Sequence, residues 1–276
     1  TKAIPLACAT RWNSHLTQAK VILENKLQVL LALETANSAP KGPRICYTEK
    51  DWINTAAIVE LLEPFAEAVT VLQGDSFITN SMMPMLCDAL DVHLTLKATD
   101  NLPEHIIGAA NDMFDAFGDR FDAPTNAQLI AAFCDLRTKD LIWCKRNVRE
   151  NKHYRDVTLK AMIGMALHEK GRKTSGGVLT EGAVEMNASP ASAEAELLRY
   201  DQVPTLDPGS SGKRVLEWWV DHKHEFPLLY RVACIYLAVP ATSASSERIF
   251  STAGKVVTKK RNRLSPESVQ KLVFLH

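Results

Sequence analysis

The amino-acid sequence predicts a mainly α-helical protein. Apolar residues recur at three- and four-residue steps through most of the chain, which is the signature of helices burying one face. Strand signals are confined to Ile4–Ala9 and Lys255–Thr258, both too brief to define a sheet. No repeat of fixed period points to a solenoid.

Thr10-Arg11-Trp12-Asn13-Ser14 opens the first organised segment, and Leu16, Ala19, Ile22, Leu23, Leu27, Leu30 and Leu31 then give one helical period ending near Ala36. Asn37 to Pro43 is a turn cluster. Thr48 and Asp51 form an acidic variant of a capping box. The helix it starts carries Trp52, Ile53, Ala56, Val59, Leu62, Phe65, Val69 and Leu72 on one broad face, and Pro64 is expected to kink or divide it. Residues 76–97 repeat the pattern with Met82, Met85, Leu86, Leu90, Leu94 and Leu96, a methionine stripe that reads as adaptable core. Pro103 opens another helix, with Ile106, Ile107, Ala110, Met113, Phe114 and Phe117 toward the core. Ala127 to Phe133 continues the helical run, Asp135 to Asp140 interrupts it, and Asn151 to Glu169 closes this half.

From Gly171 to Glu194 small polar residues dominate and periodicity vanishes, so this stretch reads as a flexible linker unable to offset its ordering entropy. The expected organisation is a helical domain over 1–170, a linker over 171–194 and a final unit over 195–276. The chain opens inside an apparently ongoing element without an initiator methionine, and reads as a piece of something longer.

The last fifth concentrates the most information. Pro227 to Leu237 is an apolar helical block, with Pro227 suited to a first turn and Pro240 ending the pattern. In Thr242-Ser243-Ala244-Ser245-Ser246-Glu247-Arg248 a hydroxyl can cap a helix whose first turns hold Glu247. Gly254 reads as its stop, and Ser265-Pro266 restarts a helix. Trp218 and Trp219 are expected to be core.

An apolar fraction of 46% suffices for a sizeable core. No stretch has the uninterrupted apolar length of a membrane span. The six cysteines are scattered without a CxxC pair, which argues against a zinc finger or a disulfide scaffold. Net charge is zero, yet from Arg248 to Arg263 there are six basic residues and no acids. Nucleotide-binding, zinc-protease and serine-hydrolase motifs are absent, and His222 and His224 at i, i+2 do not share a helix face.

Three ordered blocks carry a family resemblance. The first is Thr10-Arg11-Trp12-Asn13-Ser14, and the second is Ala131-Ala132-Phe133-Cys134-Asp135-Leu136-Arg137-Thr138-Lys139. The third runs from Leu237-Ala238-Val239-Pro240-Ala241-Thr242-Ser243 through Ser246-Glu247-Arg248, Phe250-Ser251, Ala253-Gly254 and Arg261-Asn262-Arg263-Leu264 to Leu272–Leu275. Together they resemble the C-terminal portion of a hAT superfamily transposase, or of a domesticated protein derived from one. The second block departs from the family, with Leu136 where proline is common.

The resemblance implies a helical insertion domain followed by the C-terminal helical part of a split RNase H-like core. It also implies three acids, two aspartates and one glutamate, holding Mg2+ or Mn2+ for DNA strand cleavage and transfer. Glu247 matches the glutamate. The aspartates are expected upstream of Thr1, since the first fifty residues contain none. One carboxylate cannot hold such cations alone, so the expectation is a chain that is not catalytic by itself and binds no metal by itself. In the bland reading Glu247 is a helix-start acid favoured by the local dipole.

By the same resemblance Arg11 and Trp12 are candidates for DNA contact; Trp12 reads otherwise as a core anchor, and Arg11 as a partner for an acid. Lys255, Lys259, Lys260, Arg261 and Arg263 form a basic loop able to contact phosphates or act as a nuclear-localisation cluster, or simply a solvated surface. The candidates for self-association are Leu228, Leu229, Val232, Ile235, Tyr236 and Phe250, with Val269, Leu272, Val273 and Leu275 of the closing helix.

The first functional expectation is therefore a dimerisation module, forming a homodimer or higher oligomer, of a nuclear, DNA-binding hAT-like protein. On this expectation the isolated segment 195–276 dimerises. A fragment of an active metal-dependent transposase is the alternative, and a helical scaffold with no nucleic-acid role the third reading. The BED-type zinc finger that often precedes such regions is not in this sequence.

Overall fold

The computed structural model describes residues 12–38, 44–74, 77–100, 102–121, 123–140, 155–165, 189–256 and 265–274, and these are mainly helical, with no strand among them. The two strand candidates do not add one: Ile4–Ala9 lies outside the described residues, and Lys255 and Val256 are helical. The chain divides into two compact units, one of Thr1–Val69 with Cys87–Asp122 and one of Thr70–Leu86 with Ala123–His276.

In the first unit, α1 (Trp12–Glu24) and α2 (Lys26–Asn37) replace the single expected helix. The break falls at Asn25, whose side-chain amide donates to Val21 O at 2.7 Å and so competes with the helical backbone pattern. The capping box at the start of α3 (Glu49–Leu72) forms as expected: Thr48 N donates to Asp51 Oδ2 at 2.7 Å, and Asp51 N to Thr48 Oγ1 at 3.3 Å. Pro64 does not divide α3, which continues on both sides of it. With α4 (Met83–Thr99) and α5 (Glu104–Phe121), α3 encloses a small core of Ala57, Leu61, Leu94, Ile106 and Ala110, against which Phe65 and Phe117 pack edge to face.

The second unit is built around α6 (Asn126–Cys134), whose residues Leu129 to Cys134 are all buried. A helix this apolar all round must be surrounded. α10 (Pro227–Tyr236) and the 3-10 turn Asn80–Met82 pack on it. Its N-terminus carries a reciprocal Thr125–Gln128 capping box. Its C-terminal carbonyls, which no helical N–H can reach, are taken by side chains from elsewhere in the unit. Thr138 Oγ1 donates to Ala132 O at 2.8 Å, Tyr200 Oη to Phe133 O at 3.0 Å and Trp219 Nε1 to Cys134 O at 2.8 Å.

Directly after α6 the Asp135–Lys139 block folds into a buried polar knot. Asp135 is fully buried, accepts from Ser81 Oγ at 2.6 Å, and pairs with Arg137 through Nη2 at 2.7 Å. Thr138 N donates to Asp135 O at 2.9 Å and closes a turn. Leu136, standing where the family often has proline, fills the second position of that turn. It is buried, and its carbonyl accepts from Leu206 N at 2.9 Å. The departure thus exchanges a fixed φ for a core side chain. Lys139 reaches the end of α8 (Pro190–Asp201), donating to Tyr200 O at 2.8 Å and to Val203 O, with its ammonium 4.8 Å from the Tyr200 ring centre. Burial lowers the pKa of that ammonium.

Helix α7 covers the described residues 155–165. α8 starts at Pro190 under a Ser189 cap, within the stretch read as a linker, of which residues 171–188 lie outside the described residues. α9 (Gly212–Asp221) supplies Trp218 and Trp219, and Trp219 stacks on Tyr200 at 5.4 Å while Trp218 lies against Phe226 at 5.7 Å. His222, instead of seeking a metal, stacks on Trp218 at 4.1 Å. α11 (Ala244–Val256) and α12 (Pro266–Phe274) pack on one another. Gly254 lies inside α11 and does not stop it, as a helix tolerates one glycine at a cost of about 1 kcal/mol. Ser265 and Pro266 do start α12, and Ser268 N donates to Ser265 Oγ at 3.3 Å.

Helix α10 begins after Phe226, which has no capping side chain. Glu196 of α8 does that work, accepting from Leu229 N at 2.7 Å. Burial pushes its carboxyl up to about 7, against the opposing pull of the Leu229 and Leu228 N–H groups and Arg199. A raised carboxyl means the folded state holds its proton longer than the unfolded chain. Stability from this group is therefore greatest below about 4.5, falls as pH rises toward 7, and is flat above it. Glu196→Gln keeps an acceptor for Leu229 without the buried charge. Its stability relative to the parent is expected to rise between pH 5 and pH 8 by up to about 3 kcal/mol, read from urea melts at the two pH values.

Candidate functional site

The turn before Glu247 is held by the segment that follows α3. Leu237 ends α10 buried in the core, and Ala241 N then donates to Thr79 Oγ1 at 3.0 Å. Thr242 Oγ1 donates to Leu72 O at 3.4 Å and accepts from Ala244 N at 3.3 Å. Arg248 Nη2 donates to Gln73 O at 2.5 Å. Leu72, Gln73 and Thr79 thus fix where α11 starts. Glu247 sits in its first turn, exposed, with Ser243 Oγ donating to its Oε1 at 2.7 Å.

Hard divalent cations need several oxygen ligands. Among the described residues no group of three or more His, Cys, Asp or Glu side chains could hold a metal ion. Glu247 as placed is a single carboxylate with a serine partner, and the residues around it do not fit a two-metal centre.

The apolar candidates separate into two sets. Leu228, Leu229 and Val232 lie within the chain's own core, on the face of α10 turned to α6, and are not available to a partner. Tyr236 is partly buried against the same core. On the other side, Ile235 is 52%, Phe250 74% and Leu272 43% exposed. Val269 is partly buried in α12, Val273 lies in the same helix, and Leu275 lies outside the described residues. Two exposed residues missing from the expected set join them: Ile249 and Phe274, the latter 89% exposed. Ile249 was legible as the neighbour of Phe250, and Phe274 as the aromatic of the closing run.

Of the candidates for DNA contact, Trp12 is the first residue of α1 and is half-exposed. Lys255 lies in the last turn of α11. Arg11, Lys259, Lys260, Arg261 and Arg263 lie outside the described residues. No helix among the described residues is long and apolar enough to cross a membrane.

Known proteins place this arrangement. Residues 195–276 match the model of the hAT family C-terminal dimerisation region. Over 99% of its length the chain is 23% identical to the putative AC transposase of Zea mays, of which it spans 36%. It is 24% identical, again over 99% of its length, to the zinc finger BED domain-containing protein DAYSLEEPER of Arabidopsis thaliana, of which it spans 40%. A shorter stretch, 28% of the chain, is 38% identical to the putative AC9 transposase of Zea mays, of which it covers 9%. The chain therefore spans less than half the length of these curated relatives. The chain is thus similar along nearly all of its length to a putative transposase and a BED-domain protein, and its residues 195–276 match the hAT family C-terminal dimerisation region.

Proposed function

We propose that this chain joins copies of a hAT transposase-like, DNA-binding nuclear protein through the exposed apolar residues of α11 and α12. The observation that carries this reading is the exposure of Ile249, Phe250, Leu272 and Phe274 within the segment that matches the dimerisation region. Large apolar side chains left open to solvent in a segment of this kind point to an interaction surface. In this reading the second unit, α6 to α12, is the helical side of a split RNase H-like core, and most of the first unit belongs to the helical insertion. In this reading strand cleavage needs more than this chain, because Glu247 would supply one of several oxygen ligands and no metal-holding group of acids accompanies it among the described residues.

Two differently tagged copies of the chain are expected to co-purify when co-expressed. Phe250→Asp with Phe274→Asp should abolish co-purification while leaving the melting temperature of the chain within a few degrees, as both side chains face solvent in one copy. Tagged parent copies that never co-purify would overturn the proposal.

A further inference from the structure

We infer that the cleft beside the Glu247 turn receives the exposed apolar residues of α11 and α12 from a second copy of this chain, and that Phe77 forms one of its walls. The inference rests on the self-association reading above and extends the interface beyond residues 195–276.

The cleft has a volume of about 310 Å³ and lies between Gly74 and Phe77–Thr79 on one side and Leu216 of α9, the turn Leu237–Pro240 and Ser245 of α11 on the other. Three of its apolar side chains are open to solvent: Phe77 at 39%, Leu216 at 43% and Val239 at 41%. Its shape depends on two glycines. A Cβ at position 74 would stand 2.3 Å from Phe77 Cζ, so glycine lets that ring lean against the chain as a wall, and a side chain there would push it aside. At Gly212, where α9 begins, a Cβ would lie 3.1 Å from Ile78 Cγ1, so glycine allows residues 77–78 to run close over the helix start. The hydrogen bonds from Ala241, Thr242 and Arg248 to Thr79, Leu72 and Gln73 tie the two walls together.

A second copy is the occupant these features select. Most of the lining belongs to the matched dimerisation region. Ser245 lines the cleft, and Ile249 lies four residues on, on the same face of α11, so the cleft opens onto the exposed apolar face of that helix. One chain thus carries both a recess and the protruding aromatics Phe250 and Phe274. A two-fold dimer requires such a self-complementary surface, because each patch must meet its counterpart twice. A stable interface buries about 800 Å² per partner, and aromatic side chains bury about 150–250 Å² each. Weighted by their exposure, Phe77, Phe250 and Phe274 supply on the order of half of one partner's share.

The test uses the full chain with a photoreactive benzophenone side chain at position 77, mixed with 15N-labelled parent chain and irradiated. Cross-links from position 77 to labelled peptides of α11 or α12 are expected. Separately, Phe77→Glu should weaken dimerisation by about 30-fold or more, the scale of an interfacial hot spot. Cross-links confined to the same chain, or an F77E dimer as tight as the parent, would overturn the cleft while leaving self-association standing. A parent chain that is monomeric throughout would overturn both.

Discussion

Replacing Arg137 with leucine is expected to unfold the second unit. Asp135 is fully buried, and the Arg137 guanidinium, with a side chain 6% exposed, is its charge partner at 2.7 Å. Removing the guanidinium leaves a carboxylate in the core with only Ser81 Oγ and the Arg137 N–H to satisfy it. Breaking a buried pair in this way costs about 3–5 kcal/mol, a large part of the total stability of a domain. The loss should appear as a shift of the urea midpoint. Asp135→Asn in the same chain removes the uncompensated charge and should return part of the lost stability, so the two substitutions are expected to be strongly non-additive. An R137L chain that melts like the parent would show that the pair is solvated and that the knot holds nothing together.

The second large effect concerns the segment 195–276 expressed alone. Sequence order suggests a self-sufficient dimerising unit there, but the packing gives the opposite expectation. Trp219 Nε1 and Tyr200 Oη are bonded to carbonyls of Cys134 and Phe133, and Lys139 caps α8 from outside the segment. The core residues Leu229 and Val232 of α10 share one cluster with Leu129 to Leu136. Without α6 these side chains face water, and the buried polar groups lose their partners at about 1–3 kcal/mol each. The isolated segment is expected to show no cooperative thermal transition by circular dichroism and no stable dimer. A folded, dimeric 195–276 fragment would contradict the account of α6 as the centre of this unit.

Much of this architecture is visible in the chain itself. The Thr48–Asp51 box, the proline starts of α10 and α12 and the helical period of α5 are local signals, and they hold because the hydrogen bonds involved span only a few residues. What stays hidden is long-range. Nothing in the spacing of Glu196 and Leu229 announces that an acid on one helix caps another thirty-three residues away. Likewise, the Asp135–Lys139 run is a family signature in sequence but reads as an interruption until Ser81, Tyr200 and Ser210 close around it. Gly254 as a stop and Pro64 as a divider were misleading for the same reason, because tertiary packing can carry a helix through one unfavourable residue. For the candidate site, periodicity identified the apolar residues of α10 but could not say that Leu228, Leu229 and Val232 face inward while Ile235 faces out. The chemistry of Glu247 was legible only as a single acid at a helix start, and the structure places it there, held by Ser243.

The central claim is that copies of this chain associate through the exposed apolar residues of α11 and α12, and light scattering across a concentration series tests it most directly. The account predicts the mass of two chains for the parent and of one chain for the F250D/F274D variant. A parent chain with the mass of a single polypeptide at every concentration would contradict it.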